Sequence, residues 1–375
     1  MKRWVLFCGI ILVLSACQTY QVGKNPASML KNEQQAQGIV LTESQEPELN
    51  GLLYYLDYEN DYRLDKFINA DIRGLKDFKL YAGTKILSFG KVLANIKKLK
   101  YGCSAFVCQS QTGDILYGRN FDFTSEGPAL VIIANTHPQN GYRSVSIISM
   151  SLLKYPMGSL SDGKTDLSIL AASPYLLMDG MNEKGLAISV LYLDPSDTIN
   201  KIWYGGTEQY DPKKHDIMTS SAMRVVLDRA ATVDEALALL NQYNMFANGK
   251  KNNCSYHFLL GDKTGKSVVL EYIPINGKWV MAPVNTNFVT NFYVHSNLFG
   301  VGHGQDRFAK LEEKLKKTNN ILSEKESMNL LQTVSQKPST EKTSKTQWSV
   351  VYNLSQGTYS ICIGRNYDKV VRGSL

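Results

Sequence analysis

The stretch Gly102-Cys103-Ser104-Ala105-Phe106-Val107-Cys108-Gln109, followed after Gln111-Thr112-Gly113 by Gly118-Arg119-Asn120-Phe121-Asp122, decides the reading of this chain. Residues 103–109 have the residue types of a strand, Gln111 to Gly113 those of a turn, and Asp114 to Gly118 those of a returning strand. A hairpin brings its second strand back beside its first, so Arg119 and Asp122 fall near Cys103. A guanidinium beside a thiol lowers its pKa and orients it, and a carboxylate can hold an ammonium group. An isolated cysteine is by default a small core hydrophobe. Here its neighbours give it a chemical role, and Gly102 supplies the backbone freedom that a self-cleaving junction requires.

Working upstream, Lys2 and Arg3 precede an apolar run from Trp4 to Leu14, which is the length of a signal-peptide core and too short for a mature membrane span. It ends in Leu14-Ser15-Ala16-Cys17, similar to a bacterial lipobox, in which the cysteine is acylated and becomes the first residue. The expectation is a lipoprotein leader over residues 1–16 and an exported protein held at the bacterial cell membrane by a lipid on Cys17. Residues 17–50 are polar and read as a flexible tether. Residues 51–102 carry apolar positions at helical spacing through Leu75, Phe78, Leu80, Ile86, Leu87 and Val92, predicting a helical prosegment cleaved after Gly102.

Downstream, strands are expected at 129–134, 144–149, 186–193, 255–260, 267–273, 278–281, 348–352 and 358–363. Thr232-Val233-Asp234-Glu235 and Ser323-Glu324-Lys325-Glu326 are capping boxes that open helices, and Phe308, Leu311 and Leu315 share one face of another. Blocks of strands separated by helices predict an α+β layered fold. The 375 residues include 43% hydrophobic and 20% charged residues with a formal charge of +7, an ordinary globular balance. The lysine runs at 97–100 and 314–317 read as solvated helix faces, so no nucleic-acid partner is expected. Of six cysteines, Cys103, Cys108, Cys254 and Cys362 remain after the leader and Cys17, enough for two disulfides. The five histidines lack ligand spacing, and His257 reads as a core histidine; neither a metal nor a cofactor is expected.

Cys103-Ser104 with Gly118-Arg119-Asn120-Phe121-Asp122 resembles the start of the choloylglycine hydrolase and penicillin V acylase family. Its relatives include acid ceramidase, N-acylethanolamine acid amidase and isopenicillin N acyltransferase. The likeness continues through Asp179-Gly180-Met181-Asn182-Glu183-Lys184-Gly185-Leu186, the segment from His257 to Glu271, Thr290-Asn291, Asp306-Arg307-Phe308 and Thr346-Gln347-Trp348-Ser349. It implies a four-layer αββα sandwich of the N-terminal-nucleophile hydrolases over residues 103–375. It also implies cleavage of a linear amide carbon–nitrogen bond through an acyl-Cys103 intermediate.

Carried over by position, Cys103 would be the nucleophile and, through its freed α-amine, its own base. A free α-amine titrates near roughly 7.7–8, within reach of neutral pH. Arg119 would orient the sulfur, Asp122 hold the α-amino group, Asn291 donate its side-chain amide to the oxyanion, and Arg307 complete the polar network behind the nucleophile. Tyr192 stands where bile-salt hydrolases carry asparagine and penicillin V acylases tyrosine; its backbone N–H would serve the oxyanion and its ring the pocket. The short stretch between Asn291 and Arg307 departs from the long assembly insertion of those two groups and leans toward the ceramidase and acyltransferase branch. There the cleaved prosegment stays bound as a small subunit. The expected substrate is a small amphipathic amide: an N-acyl amino acid or amine, or a penicillin V-like or conjugated bile acid-like compound. Transfer of the same acyl group to an amine or thiol, and a non-catalytic lipoprotein that binds amphipathic ligands, are the alternatives.

Overall fold

The computed structural model describes residues 38–59, 61–86, 102–125, 127–193, 211–246, 256–276, 278–337 and 344–375. The expected leader, Cys17 with its expected lipid, and most of the expected tether lie outside the described residues, as do 87–101, part of the expected prosegment. No helix among the described residues is long and apolar enough to cross a membrane.

Two large sheets face each other. The first has nine strands, in the spatial order β1 (Ile39–Glu43), β2 (Leu53–Tyr58), β5 (Val131–Thr136), β6 (Ser144–Ser149), β7 (Leu177–Asn182), β8 (Leu186–Tyr192), β11 (Tyr256–Asp262), β12 (Ser267–Ile275) and β13 (Lys278–Val284). The second has six: β14 (Phe288–Val289), β3 (Ser104–Gln109), β4 (Ile115–Phe123), β17 (Lys345–Asn353), β18 (Thr358–Ile363) and β19 (Val370–Ser374). Two short ribbons pair β9 (Asp216–Met218) with β10 (Asn244–Phe246), and β15 (Asn291–Phe292) with β16 (Gly302–His303).

The layering follows from side-chain alternation along each strand. On β4, Ile115, Tyr117, Phe121 and Phe123 point between the sheets, where they meet Val145, Ile147, Met181, Ala187, Leu191, Leu259 and Val269 of the larger sheet. The intervening Leu116 faces outward with Phe106 and Cys108, against Leu311 and Leu315 of α5 (Gln305–Lys317) and Leu330 and Leu331 of α6 (Glu324–Thr333). The outer face of the nine-stranded sheet lays Ile188, Phe258, Leu260 and Leu270 on α3 (Thr219–Arg229) and α4 (Val233–Leu240). Helices, sheet, sheet and helices make the αββα sandwich. Because both sheets are covered on both faces, strands such as β4 are buried at every position.

Both expected capping segments open helices, the second as a full box and the first through its N-cap alone. Thr232 Oγ1 accepts from the Glu235 N–H ahead of α4, and Ser323 and Glu326 exchange reciprocal bonds ahead of α6. Glycine 118 has a packing reason: a Cβ there would stand 2.5 Å from the ring of Phe106, its cross-strand partner.

The N-terminal part departs from the sequence reading. Residues 39–43, expected within the tether, are β1, and residues 53–58, expected to be helical, are β2. β2 lies parallel to β5 and extends the nine-stranded sheet. Among the described residues of the expected prosegment, helix appears as α1 (Leu64–Ile68), α2 (Leu75–Tyr81) and a wider turn at Ala82–Ile86. Their apolar side chains Leu64, Phe67, Ile68, Phe78 and Ala82 are buried, and the Phe67 ring stacks on Tyr175 at 4.0 Å, in the 3-10 helix Ser168–Tyr175.

A polar knot ties this segment to α3. The Arg224 guanidinium pairs with Asp228 at 2.7 Å and reaches Ser144 Oγ on β6, and the Tyr62 hydroxyl donates to Asp228. Removing one partner of a buried ion pair leaves the other charge uncompensated. Asp228→Ala should therefore cost about 3–5 kcal/mol, read as a lowered urea midpoint at unchanged slope. A loss under ~1 kcal/mol would place this knot outside the stabilising core.

Candidate active site

Cys103 sits immediately before β3, at the inner face of the six-stranded sheet, and only 1% of it is exposed. Its N–H points away from β4 and donates to Asn291 Oδ1 at 2.5 Å. That same oxygen accepts from Arg307 Nη2 at 2.9 Å. The other nitrogen of the Arg307 fork donates to the Cys103 carbonyl and to Ser104 Oγ. Arg307 thus grips the backbone on the C-terminal side of the cysteine while sharing Asn291 with the N-terminal side. The fork fits because Gly304, the residue before α5, is in the left-handed region with φ 96°. A Cβ there would crowd the Arg307 guanidinium and lie 3.1 Å from Thr290 Oγ1.

Arg119 is fully buried on β4 and points inward, on the same face as Cys103. Its Nε pairs with Asp179 Oδ2 at 2.8 Å, and its two outer nitrogens donate to the carbonyls of Asn120 and Val190. Burial alone would lower the Arg119 pKa; the adjacent Cys103 thiol and the Asp179 carboxylate outweigh it and raise the value. Trp348 Nε1 at 3.1 Å and the Tyr352 hydroxyl at 2.6 Å also donate to Asp179. Burial pushes the Asp179 carboxyl up, opposed by Arg119 and these two donors. Asp179 therefore positions the guanidinium, a role the sequence reading did not assign. Its signal was available: an inward-facing aspartate in a buried strand needs a cation.

Asp122 lies one step off the inward register of Phe121 and Phe123, so its side chain faces the helix layer rather than the Cys103 side of β4. Both carboxyl oxygens are buried without a hydrogen bond of full geometry, and the Thr346 side chain opposite them on β17 is the hydroxyl that stabilises the charged form. Burial, partly offset by Arg307 and neighbouring groups, pushes its pKa up to about 7. Its backbone carbonyl accepts the Gly102 N–H at 3.0 Å. In this continuous chain the cysteine nitrogen is accordingly held by Asn291 and not by Asp122.

Asn291, expected to offer its amide to an oxyanion, here donates Nδ2 to the Tyr192 carbonyl at 2.7 Å. Tyr192, at the end of β8, packs its ring edge-on to Tyr256 at 5.7 Å. His257 is fully buried, with Nε2 2.7 Å from the Thr290 carbonyl and Nδ1 3.0 Å from Glu271 Oε1. The Glu271 carboxylate also accepts the Val294 and His295 N–H groups. This pair fixes the backbone that presents Asn291. Asn182 and Gly185 make a turn: Asn182 Oδ1 accepts the Lys184 and Leu186 N–H groups, and Gly185 has φ 79°.

Gly102 is not in the left-handed region, so the backbone freedom expected of it is not what this position uses. Its missing side chain instead makes room for Gln336, whose Cδ and Oε1 would each lie 2.9 Å from a Cβ at this position. Among the described residues Cys103, Cys108 and Cys362 are unpaired; the fourth cysteine, Cys254, lies outside them. Burial raises the Cys108 thiol to about 11 and the Cys362 thiol to about 12, which leaves both protonated and inert at neutral pH.

The fold has solved counterparts. Two crystal structures of variants of the conjugated bile acid hydrolase from Clostridium perfringens superpose with TM-scores of 0.50 and 0.51 at 18% and 17% identity, over 73% and 72% of this chain and 92% of each of theirs. A penicillin V acylase of Pectobacterium atrosepticum is 37% identical over 108 residues, 28% of this chain. That alignment spans 26%, about a quarter, of the acylase's own length. Residues 103–276, which begin at the buried cysteine, match the family model of the linear amide C-N hydrolases, choloylglycine hydrolase family.

Proposed function

We propose that this protein is a cysteine N-terminal-nucleophile hydrolase that cleaves a linear amide after its own chain is cut between Gly102 and Cys103. The observation that carries the proposal is the setting of Cys103. It heads a strand at the start of the family domain, beside a buried guanidinium, with its nitrogen and carbonyl both gripped by the Asn291–Arg307 pair. Free of Gly102, that nitrogen becomes an α-amine able to take the thiol proton. The thiolate adds to the amide carbonyl, the amine product leaves with a proton, and an acyl thioester forms on Cys103. Water then splits the thioester, releasing the acid and restoring the thiol. Asn291, with its amide at the Tyr192 carbonyl, is the side-chain donor for the oxyanion; such a donor is worth roughly 3–4 kcal/mol in the transition state.

The poorly satisfied Asp122 carboxyl supports this reading. A buried carboxyl without a partner is costly, and an ammonium delivered by scission would compensate it. The relatives act, by name, on penicillin V and on conjugated bile acids. The aromatic Tyr192–Tyr256 pair at the end of β8 fits a bulky amphipathic acyl group joined to a small amine or amino acid. β1 and β2, hydrogen-bonded into the large sheet, support retention of the N-terminal fragment as a small subunit. Export and a lipid on Cys17 complete the proposal.

Three measurements test it. Intact mass of the exported protein should show acylation at Cys17 and a break before Cys103, with the two pieces co-eluting under native conditions and separating on a denaturing gel. Cys103→Ala should stay whole. A fully active wild-type protein that is still one continuous chain sinks the mechanism. Second, an acyl-mimicking electrophile should label Cys103 stoichiometrically, and Arg119→Lys should slow labelling about 10- to 100-fold, the worth of a charged hydrogen bond. Equal rates would remove Arg119 from the chemistry.

Third, the Asp122 carboxyl is raised above its unfolded value in the continuous chain. Its contribution to stability is therefore present below pH ~4 and lost as pH rises through about 7. Uncut Cys103→Ala protein should lose on the order of 3 kcal/mol of unfolding free energy across that window. Asp122→Asn should flatten the step, and an unchanged step in that variant would assign it to another group.

A further inference from the structure

The sandwich brings Gln336, from the segment after α6, against the residue that precedes Cys103. Its place is well fixed. The Gln336 N–H donates to Thr346 Oγ1 at 2.8 Å, and the Thr346 N–H returns to the Gln336 carbonyl at 3.2 Å. The carboxamide oxygen accepts from the Ser344 hydroxyl. Thr346 stands opposite Asp122 in the β4–β17 pairing, and the Asp122 carbonyl holds the Gly102 N–H. Gly102, Asp122, Thr346 and Gln336 thus form one closed circuit around the junction, in which Gly102 is buried. A Cβ on Gly102 would collide with all three outer atoms of the Gln336 side chain.

We propose that Gln336 is a steric gate that restricts the residue before Cys103 to glycine, and so fixes where the chain cuts itself. The proposal rests on the reading of Cys103 as a self-released N-terminal nucleophile. In that step the Cys103 sulfur adds to the Gly102 carbonyl carbon. The Gly102–Cys103 carbon–nitrogen bond breaks as the nitrogen takes a proton, and a thioester replaces it. Water splits the thioester into the Gly102 carboxylate and a free thiol, leaving the α-amine. Attack requires the carbonyl to stay where the circuit holds it. A side chain at 102 displaces either the glutamine or the junction; Ser344, bonded to the carboxamide, resists the first, and Thr346 pins the Gln336 backbone behind it. Gln336 is a positioning residue here; it takes no proton and touches no substrate of the mature enzyme.

The test is self-cleavage of the full chain, followed by intact mass in four versions. Wild type should cut, Gly102→Ala should cut at least tenfold more slowly, and Gln336→Ala should cut near the wild-type rate. The double variant should recover most of the lost rate. Randomising position 102 in the wild-type and Gln336→Ala backgrounds gives the same reading when single variants fold poorly: glycine alone should be accepted in the first, with alanine and serine joining it in the second. An identical residue profile in the two backgrounds overturns the gate. So does a tenfold slowing by Gln336→Ala alone, which would make the carboxamide a participant rather than a wall. A wild-type chain that never cuts before Cys103 fails the underlying mechanism instead, and the two failures are told apart by that first lane.

Discussion

The buried pair of Arg119 and Asp179 is the interaction on which the rest of the site depends. One partner belongs to β4 of the six-stranded sheet and the other to β7 of the nine-stranded sheet, so the pair is a charged rivet through a mostly apolar interface. Two charges this deep are expensive to desolvate, and their attraction compensates only when the remaining donors and acceptors are filled. Here they are. Arg119 also reaches two carbonyls, and Asp179 takes Trp348 and Tyr352. The pair fixes the spacing of the sheets and holds a permanent positive charge at the cysteine, where an unanchored arginine would turn toward water.

The same accounting explains why parts of the fold were legible in sequence and others were not. β6 and β18 match the residues expected, because an unbroken apolar run bounded by turn residues has few other readings. α4 and α6 begin at their capping boxes for equally local reasons. β7 escaped notice because Asp179 and Gly180 interrupt its apolar run, and the partners that make them tolerable come from other elements: Arg119 for the charge, and Leu227 and Ser146 for the space beside the glycine. α3 is hidden in the same way by Arg224 and Asp228, buried polar residues that pair with each other and with Ser144 and Tyr62. β1 and β2 are short, and β2 becomes a strand by pairing with β5, remote in the chain. A helical spacing of apolar residues is a weak signal beside a sheet edge waiting for a strand.

The site residues could be named from their motifs, but their contacts could not. Spacing placed Arg119 and Asp122 on the strand that returns beside Cys103, yet alternation on β4 sends the first inward and the second toward the helices. Asn291 is fitted as an acceptor for the cysteine nitrogen as much as a donor. Gly102 was read for its backbone freedom, and its value lies in the absence of a Cβ. Each difference is a property of a neighbour brought in by tertiary structure, which a local reading does not contain.

On the proposed mechanism, these contacts also give scission a direction. In the continuous chain the Cys103 nitrogen is a neutral amide with one hydrogen, and Asn291 Oδ1 satisfies it completely. After the cut the same atom carries more hydrogens and can carry a charge, more than one neutral oxygen shared with Arg307 can satisfy. Asp122, one strand away at the level of Gly102, has a buried carboxyl that makes no fully formed hydrogen bond. A buried carboxyl that its neighbours offset only in part before the cut, with a new ammonium one strand away after it, favours the broken chain around this residue. The site that performs the proposed chemistry is thus completed by the bond it loses.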